Sequence, residues 1–308
     1  ALCPCSRRNR TIDDLTKEDP TNNAKMSDIV LKNPLVSADW LYEHLDAPNL
    51  IVLDASLPKA GMGEDTLSPS LIEGARYMDL KNRWAQKDAG FPNTMLDAAG
   101  FERVAREFGI DNSSALVFYD QHGIYSSARG WYMFRAMGHD NVAVLDGGLP
   151  TWEQAGYPVM PKKEYSGRLG NFKTLLDSNY FKDHKEVFAE LQDSSKQVLD
   201  ARARERFQGL VAEPREGLRS GHIPGSKSLP YAELQEGGKM KDKNTLEALF
   251  SETSKTNQSL VFSCGSGITA CVLALGAELT GRSGYSVYDG SWTEWGSLPE
   301  LPVEKGRG

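Results

Sequence analysis

Residues 260–270 read Leu-Val-Phe-Ser-Cys-Gly-Ser-Gly-Ile-Thr-Ala. The apolar run at the start is typical of a buried strand, and apolar residues then recur at helical spacing from Ile268 to Leu279. The two glycines around Ser266 fit a tight loop, because glycine accepts backbone dihedrals that other residues avoid. The stretch therefore predicts a strand, a loop and a helix, with Cys264 at the start of the loop.

Cys264 is a candidate nucleophile. In such a loop the main-chain N–H groups of residues 265–269 can turn toward its sulfur, since the first turn of a helix has unpaired donors. An amide nest with a helix dipole behind it favours the thiolate, which is the nucleophilic form of cysteine. The alternative is a buried structural cysteine, which packs against its apolar neighbours and has no catalytic role. The two glycines favour catalysis, because a cysteine that only packs does not need them.

The composition is that of a globular protein long enough for about two domains, with 308 residues, 40% apolar and 25% charged. No apolar run reaches the length of a membrane span. The net charge of −7 argues against nucleic acid as a partner, since phosphate binding needs a basic face. The four cysteines match neither a disulfide framework nor a zinc pattern. We therefore expect a reducing compartment, the cytoplasm or alternatively the mitochondrion, and neither a metal nor a cofactor.

Residues 1–33 form the predicted N-terminal tail, which we interpret as disordered or artificially added. Its first 25 or so residues are polar and lack the apolar segment of a secretory signal. Their acidic side chains argue against an intact transit peptide. Folding is expected to begin near Pro34.

From there on, apolar runs alternate with helical patterns, which predicts an α/β fold with mainly parallel sheets flanked by helices on both faces. Three motifs of the first half return in the second half, at offsets of 146, 144 and 143 residues. They are Val52-Leu53-Asp54-Ala55, which returns as Val198-Leu199-Asp200-Ala201; residues 116–120, which return as 260–264; and residues 145–152, which return as 288–295. A nearly constant offset predicts two tandem copies of one domain, at residues 34–160 and 177–308, joined by a linker at 161–176.

The second copy alone carries the candidate nucleophile. The first-half counterpart of Cys264 is Asp120, and the loop after it lacks the glycine pattern. We therefore expect the first domain to be non-catalytic and to form one wall of a cleft, since ligand sites in parallel sheets lie beyond the carboxyl ends of the strands.

Two tandem α/β domains, a cysteine in the second alone and the loop at 264–270 together resemble the two-domain rhodanese superfamily. The likeness runs from about residue 36 to 303 and includes Gly-His-Ile-Pro-Gly-Ser at 221–226 and Tyr-Asp-Gly-Ser-Trp at 288–292. Members that use thiosulfate typically place basic residues directly after the cysteine, whereas this chain has Gly265 and Ser266. The chain is therefore most similar to members that use 3-mercaptopyruvate.

The resemblance implies a sulfurtransferase. Cys264 would take sulfur from 3-mercaptopyruvate as a persulfide, release pyruvate, and pass the sulfur to thioredoxin, a small thiol or, in an assay, cyanide. Ser266 would donate a hydrogen bond or take part in a proton relay, or it would serve only to fit the turn. The resemblance also implies loop positions that bind the substrate, namely Gly265, Gly267, Ile268 and Thr269.

Arg206 and Arg215 occupy the positions where the superfamily carries its two substrate-binding arginines. A guanidinium fork matches a carboxylate bidentately, which suits the carboxylate of 3-mercaptopyruvate. The alternative is solvated surface charge, because other arginines lie nearby in the sequence.

One departure concerns the first domain. Superfamily members commonly carry a histidine that is proposed to work with the loop serine and an upstream acid, and Leu71 stands in its place here. Neither Glu64 nor Asp65 aligns clearly with that acid. The usual relay is therefore in doubt, and either the substrate supplies its own acid–base help or the donor differs. His222 is interpreted as a structural histidine.

Other functions are compatible with parts of this sequence. A thiosulfate:cyanide sulfurtransferase and a non-catalytic persulfide carrier remain alternatives. A cysteine phosphatase needs an arginine at the end of the loop, where this chain has Ala270 or Cys271. A serine hydrolase needs Gly-x-Ser-x-Gly, and Cys264 lies two residues before Ser266. Cys271 is interpreted as an apolar packing residue.

Overall fold

The computed structural model describes residues 27–308. The predicted tail at 1–33 therefore lies largely outside the described residues, but its last part does not behave as a tail. The main chain of Ile29 pairs with the Asn49 side chain at 2.8 and 3.0 Å, and the Leu31 N–H donates to Asn141 at 2.8 Å. Residues 29–31 are thus part of the first domain, bound through side-chain amides that leave no periodic pattern in the sequence.

The first domain shows the predicted alternation of strands and helices. Its elements are β1 (Leu35–Val36), α1 (Ala38–His44), β2 (Leu50–Asp54), β3 (Ser70–Ile72), β4 (Arg76–Tyr77), α2 (Ala98–Glu107), β5 (Ala115–Tyr119), α3 (Ser127–Ala136), β6 (Val142–Leu145), α4 (Gly148–Gln154) and β7 (Val159–Pro161). The sheet has the strand order β1-β6-β5-β2-β4 and is parallel throughout. Strands β3 and β7 form a separate antiparallel pair.

The second domain repeats this architecture. Its elements are β8 (Phe181–Lys182), α5 (His184–Glu190), β9 (Lys196–Asp200), α6 (Arg204–Phe207), β10 (Lys227–Ser228), β11 (Gln235–Glu236), β12 (Lys239–Met240), α7 (Lys243–Thr253), β13 (Ser259–Ser263), α8 (Ala270–Leu279), β14 (Tyr285–Tyr288) and α9 (Ser291–Trp295). The parallel sheet runs β10-β9-β13-β14-β8, which is the first sheet's order read from β4 to β1. The predicted α/β fold with two tandem copies is confirmed.

Both faces of each sheet are covered, as predicted. In β2, Ile51 and Leu53 pack into a core with helices α2 and α3, while Val52 between them packs against α1 and α4 on the other face. The alternation follows from the strand geometry, in which successive side chains point to opposite faces. Near-continuous apolar strands are therefore required.

The two domains share one hydrophobic core. Helix α8 is buried from Ala270 to Ala277, because its own sheet lies on one side and α3 of the first domain packs on the other. A helix that is apolar all round fits this position. At the edge of the interface, Arg135 of α3 pairs with Glu278 of α8 at 2.9 Å. The domain interface is therefore built partly from the helix that follows Cys264.

The segment predicted as a linker, 161–176, has neither helix nor strand after Pro161, yet it is bound to the first domain. Phe172 is fully buried in the core, its N–H donates to the Ile110 carbonyl at 3.1 Å, and its carbonyl accepts from Arg106 Nε at 2.8 Å.

None of the helices in residues 27–308 has the length and apolar content that a membrane-spanning helix needs.

Candidate active site

The loop between β13 and α8 has the predicted form. Gly267 has a φ of +76°, and a Cβ there would lie 2.6 Å from the Asp289 carbonyl oxygen, so another residue would strain the loop. A Cβ on Gly265 would meet Arg206 Nη2 at 3.1 Å. The two glycines are thus needed for different reasons, one for backbone conformation and one to admit a guanidinium close to the loop.

Cys264 is 2% exposed and lines a cavity of about 320 Å³ between the two domains. Its N–H donates to Ser291 Oγ at 3.1 Å, and that hydroxyl donates to the Tyr288 carbonyl at 2.8 Å while lying 4.0 Å from the Cys264 Sγ. The sulfur is therefore shielded from bulk water but open to a small molecule in the cavity.

The predicted contact between the loop amides and the Cys264 sulfur is wrong in one respect. Within residues 27–308, the N–H groups of 265–269 form no hydrogen bond to Sγ and have no other partner. In the first domain Asp120 fills such a cradle, and by the 144-residue offset its amide donors correspond to Ser266, Thr269, Ala270 and Cys271. Its Oδ2 accepts from the N–H groups of Tyr125, Ser126 and Ser127 at 2.7, 2.9 and 2.9 Å.

The physical reason is the length of the side chain. A carboxylate oxygen of aspartate is one bond farther from the backbone than the sulfur of cysteine. The cradle that fits the Asp120 oxygen is therefore one bond too distant for the Cys264 Sγ. By the repeat, the N–H groups of Ser266 and Thr269, whose first-domain counterparts bind Asp120, face the position of an atom attached to that sulfur.

Ser266 is held by a residue of the first domain that the sequence analysis missed. Asn93 Nδ2 donates to Ser266 Oγ at 3.0 Å. Since an amide nitrogen only donates, the hydroxyl accepts here, and its own proton stays available for a ligand in the cavity. Asn93 has a φ of 63°, a left-handed conformation that asparagine tolerates better than most residues. No sequence signal links positions 173 residues apart.

A buried arginine of the first domain supports the loop from behind. Arg129 Nη2 pairs with Asp289 Oδ1 at 2.6 Å and donates to the Asn93 carbonyl at 2.9 Å, while Nη1 donates to the Gly267 carbonyl at 3.2 Å. The side chain is 1% exposed. The Gly267 carbonyl therefore faces this network, and Gly267 is not among the residues that line the cavity, so its contact with substrate stays a prediction. Gly265, Ile268 and Thr269 do line the cavity, together with Cys264 and Ser266.

Arg206 and Arg215 both line the cavity, as predicted. Arg206 pairs with Glu213, a buried carboxylate that also pairs with the buried Arg202 at 2.8 Å. Arg202 pairs in turn with Asp200 at 2.6 Å. Glu213 was missed by the sequence analysis, because its role appears only when the loop after α6 folds back over the arginines.

Arg215 differs from Arg206 in having no carboxylate partner among the described residues. It donates to the Thr293 hydroxyl, and burial lowers the pKa of its guanidinium from the usual value. Together, four cations (Lys59 and the guanidinium groups of 202, 206 and 215) face two carboxylates (200 and 213), and four minus two leaves two net positive charges beside Cys264. This excess of positive charge suits an anionic ligand.

The expected weakness of a serine–histidine–acid relay agrees with the structure. Leu71 is fully buried in an apolar core, and Glu64 pairs with Lys81 at 3.5 Å on the surface. His222 is 1% exposed and stacks on Phe207, as its structural interpretation requires.

Cys271 is fully buried, and burial raises the pKa of its thiol to about 12. Its Sγ lies 3.4 Å from the Gly267 carbonyl, to which the thiol donates. Both Cys264 and Cys271 are free thiols. The described residues contain no cluster of three or more His, Cys, Asp or Glu side chains able to hold a metal ion.

Comparison with known proteins gives consistent matches. The family model for the rhodanese-like domain matches residues 37–155 and 183–298. A mouse 3-mercaptopyruvate sulfurtransferase is 39% identical over 89% of this chain and 96% of its own length. The Arabidopsis thaliana protein named mitochondrial thiosulfate/3-mercaptopyruvate sulfurtransferase 1 is 35% identical over 90% of this chain and 80% of its own length. The crystal structure of an Escherichia coli 3-mercaptopyruvate sulfotransferase superposes with a TM-score of 0.76 and 28% identity, covering 84% of this chain and 99% of that one.

Proposed function

The chain belongs to the rhodanese-like domain family and is a sulfurtransferase of its 3-mercaptopyruvate sulfurtransferase branch, and from that premise we propose that Cys264 takes sulfur from 3-mercaptopyruvate as a persulfide. The observation that carries the proposal is the cavity. It brings Cys264, the Ser266 hydroxyl and the Arg215 guanidinium to one space of about 320 Å³ with a net positive charge.

In the first half of the reaction, the Cys264 thiolate attacks the sulfur of the donor. A new S–S bond forms, the C–S bond breaks, and its electron pair leaves with the carbon as the enolate of pyruvate, which then takes up a proton. Arg215 and Arg206 hold the carboxylate, and the Ser266 proton is donated to the carbonyl oxygen as it gains charge. Asn93 supports this step because its side-chain N–H donates to the Ser266 oxygen, which leaves the serine proton free to point toward the substrate.

The persulfide then needs a place for its outer sulfur. That sulfur is one bond beyond Sγ, as the Asp120 oxygen is one bond beyond the equivalent position in the first domain. Among the loop amides that make no contact with the bare thiolate, those of Ser266 and Thr269 have first-domain counterparts that bind Asp120, so they are suited to the outer sulfur. Gly265 and Ile268 line the cavity beside it. In this proposal the first domain's carboxylate shows the geometry with which the second domain stabilises anionic sulfur.

In the second half of the reaction an acceptor takes the outer sulfur. We assign this role to a small thiol or to thioredoxin, with cyanide as an acceptor in an assay. The free thiols fit a reducing compartment, and we propose the cytoplasm, with the mitochondrion as the alternative that the Arabidopsis relative's name suggests.

A donor comparison tests the proposed substrate. Steady-state rates are measured with 3-mercaptopyruvate and with thiosulfate, at the same acceptor concentration. We expect a higher kcat/KM for 3-mercaptopyruvate, because the loop next to Cys264 is neutral and the guanidinium groups of Arg206 and Arg215 match a carboxylate. A higher kcat/KM for thiosulfate would contradict the proposal and favour the thiosulfate:cyanide alternative. Turnover with neither donor would favour a non-catalytic persulfide carrier.

A further inference from the structure

A second cavity adjoins the catalytic one on the side of the first domain. Its volume is about 340 Å³, and most of its wall is formed by residues 57–64 of the first domain, with Lys81 and Asn93 beside them. Seven residues line both cavities and form the boundary between the two, namely Lys59, Ala60, Gly61, Tyr125, Arg215, Ser266 and Ile268. A molecule in the second cavity therefore lies next to the serine that faces the reacting groups.

The wall of this second cavity carries excess positive charge. Lys59 is half-buried and has no carboxylate partner among residues 27–308. Lys81 lies 3.5 Å from Glu64, but both side chains are more than half exposed, at 59% and 58%, so water and salt screen the pair strongly. With Arg215 in the shared boundary, three cations face one carboxylate. Such a cavity attracts anions.

The remaining wall is apolar enough to hold a small organic molecule. Leu57, Pro58 and Ile268 line it, and Met62 is 57% exposed at its rim. Methionine adapts its shape to different ligands. Apolar walls with a few placed charges are typical of small-molecule sites.

We propose that this second cavity binds the sulfur acceptor, and that it favours a low-molecular-mass thiol carrying a carboxylate. The proposal rests on the proposed persulfide chemistry at Cys264. The acceptor's carboxylate is held by Lys59 and Lys81, and its thiolate reaches past Ser266 to the outer sulfur. Donor and acceptor then use adjoining cavities that share Lys59 and Arg215, while Lys81 lines the acceptor's cavity alone.

The transfer step balances without a further reactant. The acceptor thiolate forms an S–S bond to the outer sulfur, the S–S bond to Cys264 breaks, and its electron pair returns to the cysteine as a thiolate. The proton that the acceptor thiol loses on becoming a thiolate is taken up by the outer sulfur, which leaves in the product persulfide. Nothing is oxidised or reduced overall.

The experiment separates the two half-reactions. Enzyme is converted to the persulfide with 3-mercaptopyruvate, checked by mass, freed of donor, and mixed rapidly with 3-mercaptopropionate or with the neutral 3-mercaptopropanol. Rates are compared per thiolate, since the thiolate is the attacking form. If 3-mercaptopyruvate fails to load the enzyme, the proposed donor is contradicted. The acceptor measurement is then made on persulfide formed with inorganic polysulfide, so that the two proposals are judged apart.

For the wild-type protein we expect the carboxylate thiol to react about fivefold faster, and added salt to reduce the ratio, because the attraction is electrostatic. Lys81→Glu should bring the ratio to about one, the effect expected of one screened charge interaction, and should leave loading by the donor unchanged. Lys59→Gln should lower the ratio in the same direction.

Lys87→Glu is the matched control, since Lys87 is exposed on the same domain and lines neither cavity. It should keep the wild-type ratio. The proposal is overturned if wild-type enzyme shows no preference for the carboxylate thiol, if the preference survives in both Lys81→Glu and Lys59→Gln, or if Lys87→Glu removes it equally.

Discussion

The side chain of Asn93, in the first domain, donates a hydrogen bond of 3.0 Å to the hydroxyl of Ser266 in the loop of the second domain. This contact fixes the direction in which the serine can donate, and it comes from a domain that carries no nucleophile. The non-catalytic domain therefore takes part in forming the site, beyond covering it.

Replacing Asn93 tests this role. Asn93→Ala should lower kcat/KM for 3-mercaptopyruvate about tenfold, the scale of one hydrogen bond of about 1.4 kcal/mol. Asn93→Asp should be worse than Asn93→Ala, because a carboxylate accepts the serine proton and takes it away from the substrate. Steady-state kinetics on the single variants and on Ser266→Ala provide the measurement.

The double variant is the internal control. If the two residues act together, Asn93→Ala combined with Ser266→Ala should be no slower than Ser266→Ala alone. Fully additive losses, or an Asn93→Asp enzyme as fast as wild type, would show that the hydrogen bond has no part in the reaction.

The arginines of the cavity should differ in their effects. Arg215→Ala should cost about 2 kcal/mol of transition-state binding, roughly thirtyfold in kcat/KM, because its guanidinium has no carboxylate partner of its own to compete with the substrate. Arg206→Ala should lower both kcat/KM and the free energy of unfolding, since it removes a partner from the buried Glu213.

Arg204→Ala serves as the comparison. Arg204 is 51% exposed, pairs with Glu233 at 2.7 Å and lies outside the cavity lining. Its loss should change kcat/KM by less than about twofold, as for other exposed pairs. An Arg204→Ala enzyme as impaired as Arg215→Ala would mean that general surface charge, rather than a carboxylate site, controls the rate.

Arg129 should be a major determinant of stability. Arg129→Met should lower the free energy of unfolding by about 3–5 kcal/mol, because it leaves Asp289 without its buried cationic partner. Arg135→Met should cost no more than about 1 kcal/mol, since the Arg135 side chain is 19% exposed and its ion pair is partly solvated. Urea unfolding followed by tryptophan fluorescence measures both; equal losses would contradict the special role given to Arg129.

The buried thiol of Cys271 should make stability depend on pH in the alkaline range. Burial raises the pKa of Cys271 from near 9 to about 12, so the folded protein keeps this thiol protonated where the unfolded chain would lose the proton. The stability that it contributes is therefore complete below about pH 9 and is lost as the pH rises toward 12. Between pH 9 and 11 the wild-type protein should lose stability more steeply than Cys271→Ala.

Alkylation gives the second readout for this prediction. In folded Cys264→Ser, iodoacetamide should leave Cys271 unmodified from pH 7 to pH 9, and unfolding in urea should expose it to rapid reaction. Labelling of Cys271 in the folded variant would show that its thiol is more accessible or more acidic than its burial implies.

Much of this site follows from the sequence. The apolar run before Cys264, the glycines after it and the constant offset between the two halves predict the strand, the loop and the tandem domains, because these features obey local periodicity. The residues that the sequence analysis missed, Asn93 and Glu213, are defined by contacts between distant segments. Single side chains in such contacts leave no repeat and no fixed spacing in the chain.

The error about the amide cradle has a different origin. Sequence reasoning placed the donors in the right loop but could not measure their distance from the sulfur. Asp120 supplies that measurement, since its longer side chain reaches the amides of Tyr125 and Ser126, which correspond to Thr269 and Ala270. A difference of one bond thus decides whether the cradle serves the thiolate or the atom bound to it.

The central claim is that Cys264 carries the transferred sulfur, and one measurement tests it most directly. Enzyme is mixed with a limited amount of 3-mercaptopyruvate in the absence of acceptor, and intact mass and released pyruvate are determined on the same sample. We predict one added sulfur atom for each pyruvate released, and neither event in Cys264→Ser. Pyruvate release without a gain of sulfur, or a gain of sulfur that persists in Cys264→Ser, would contradict the claim.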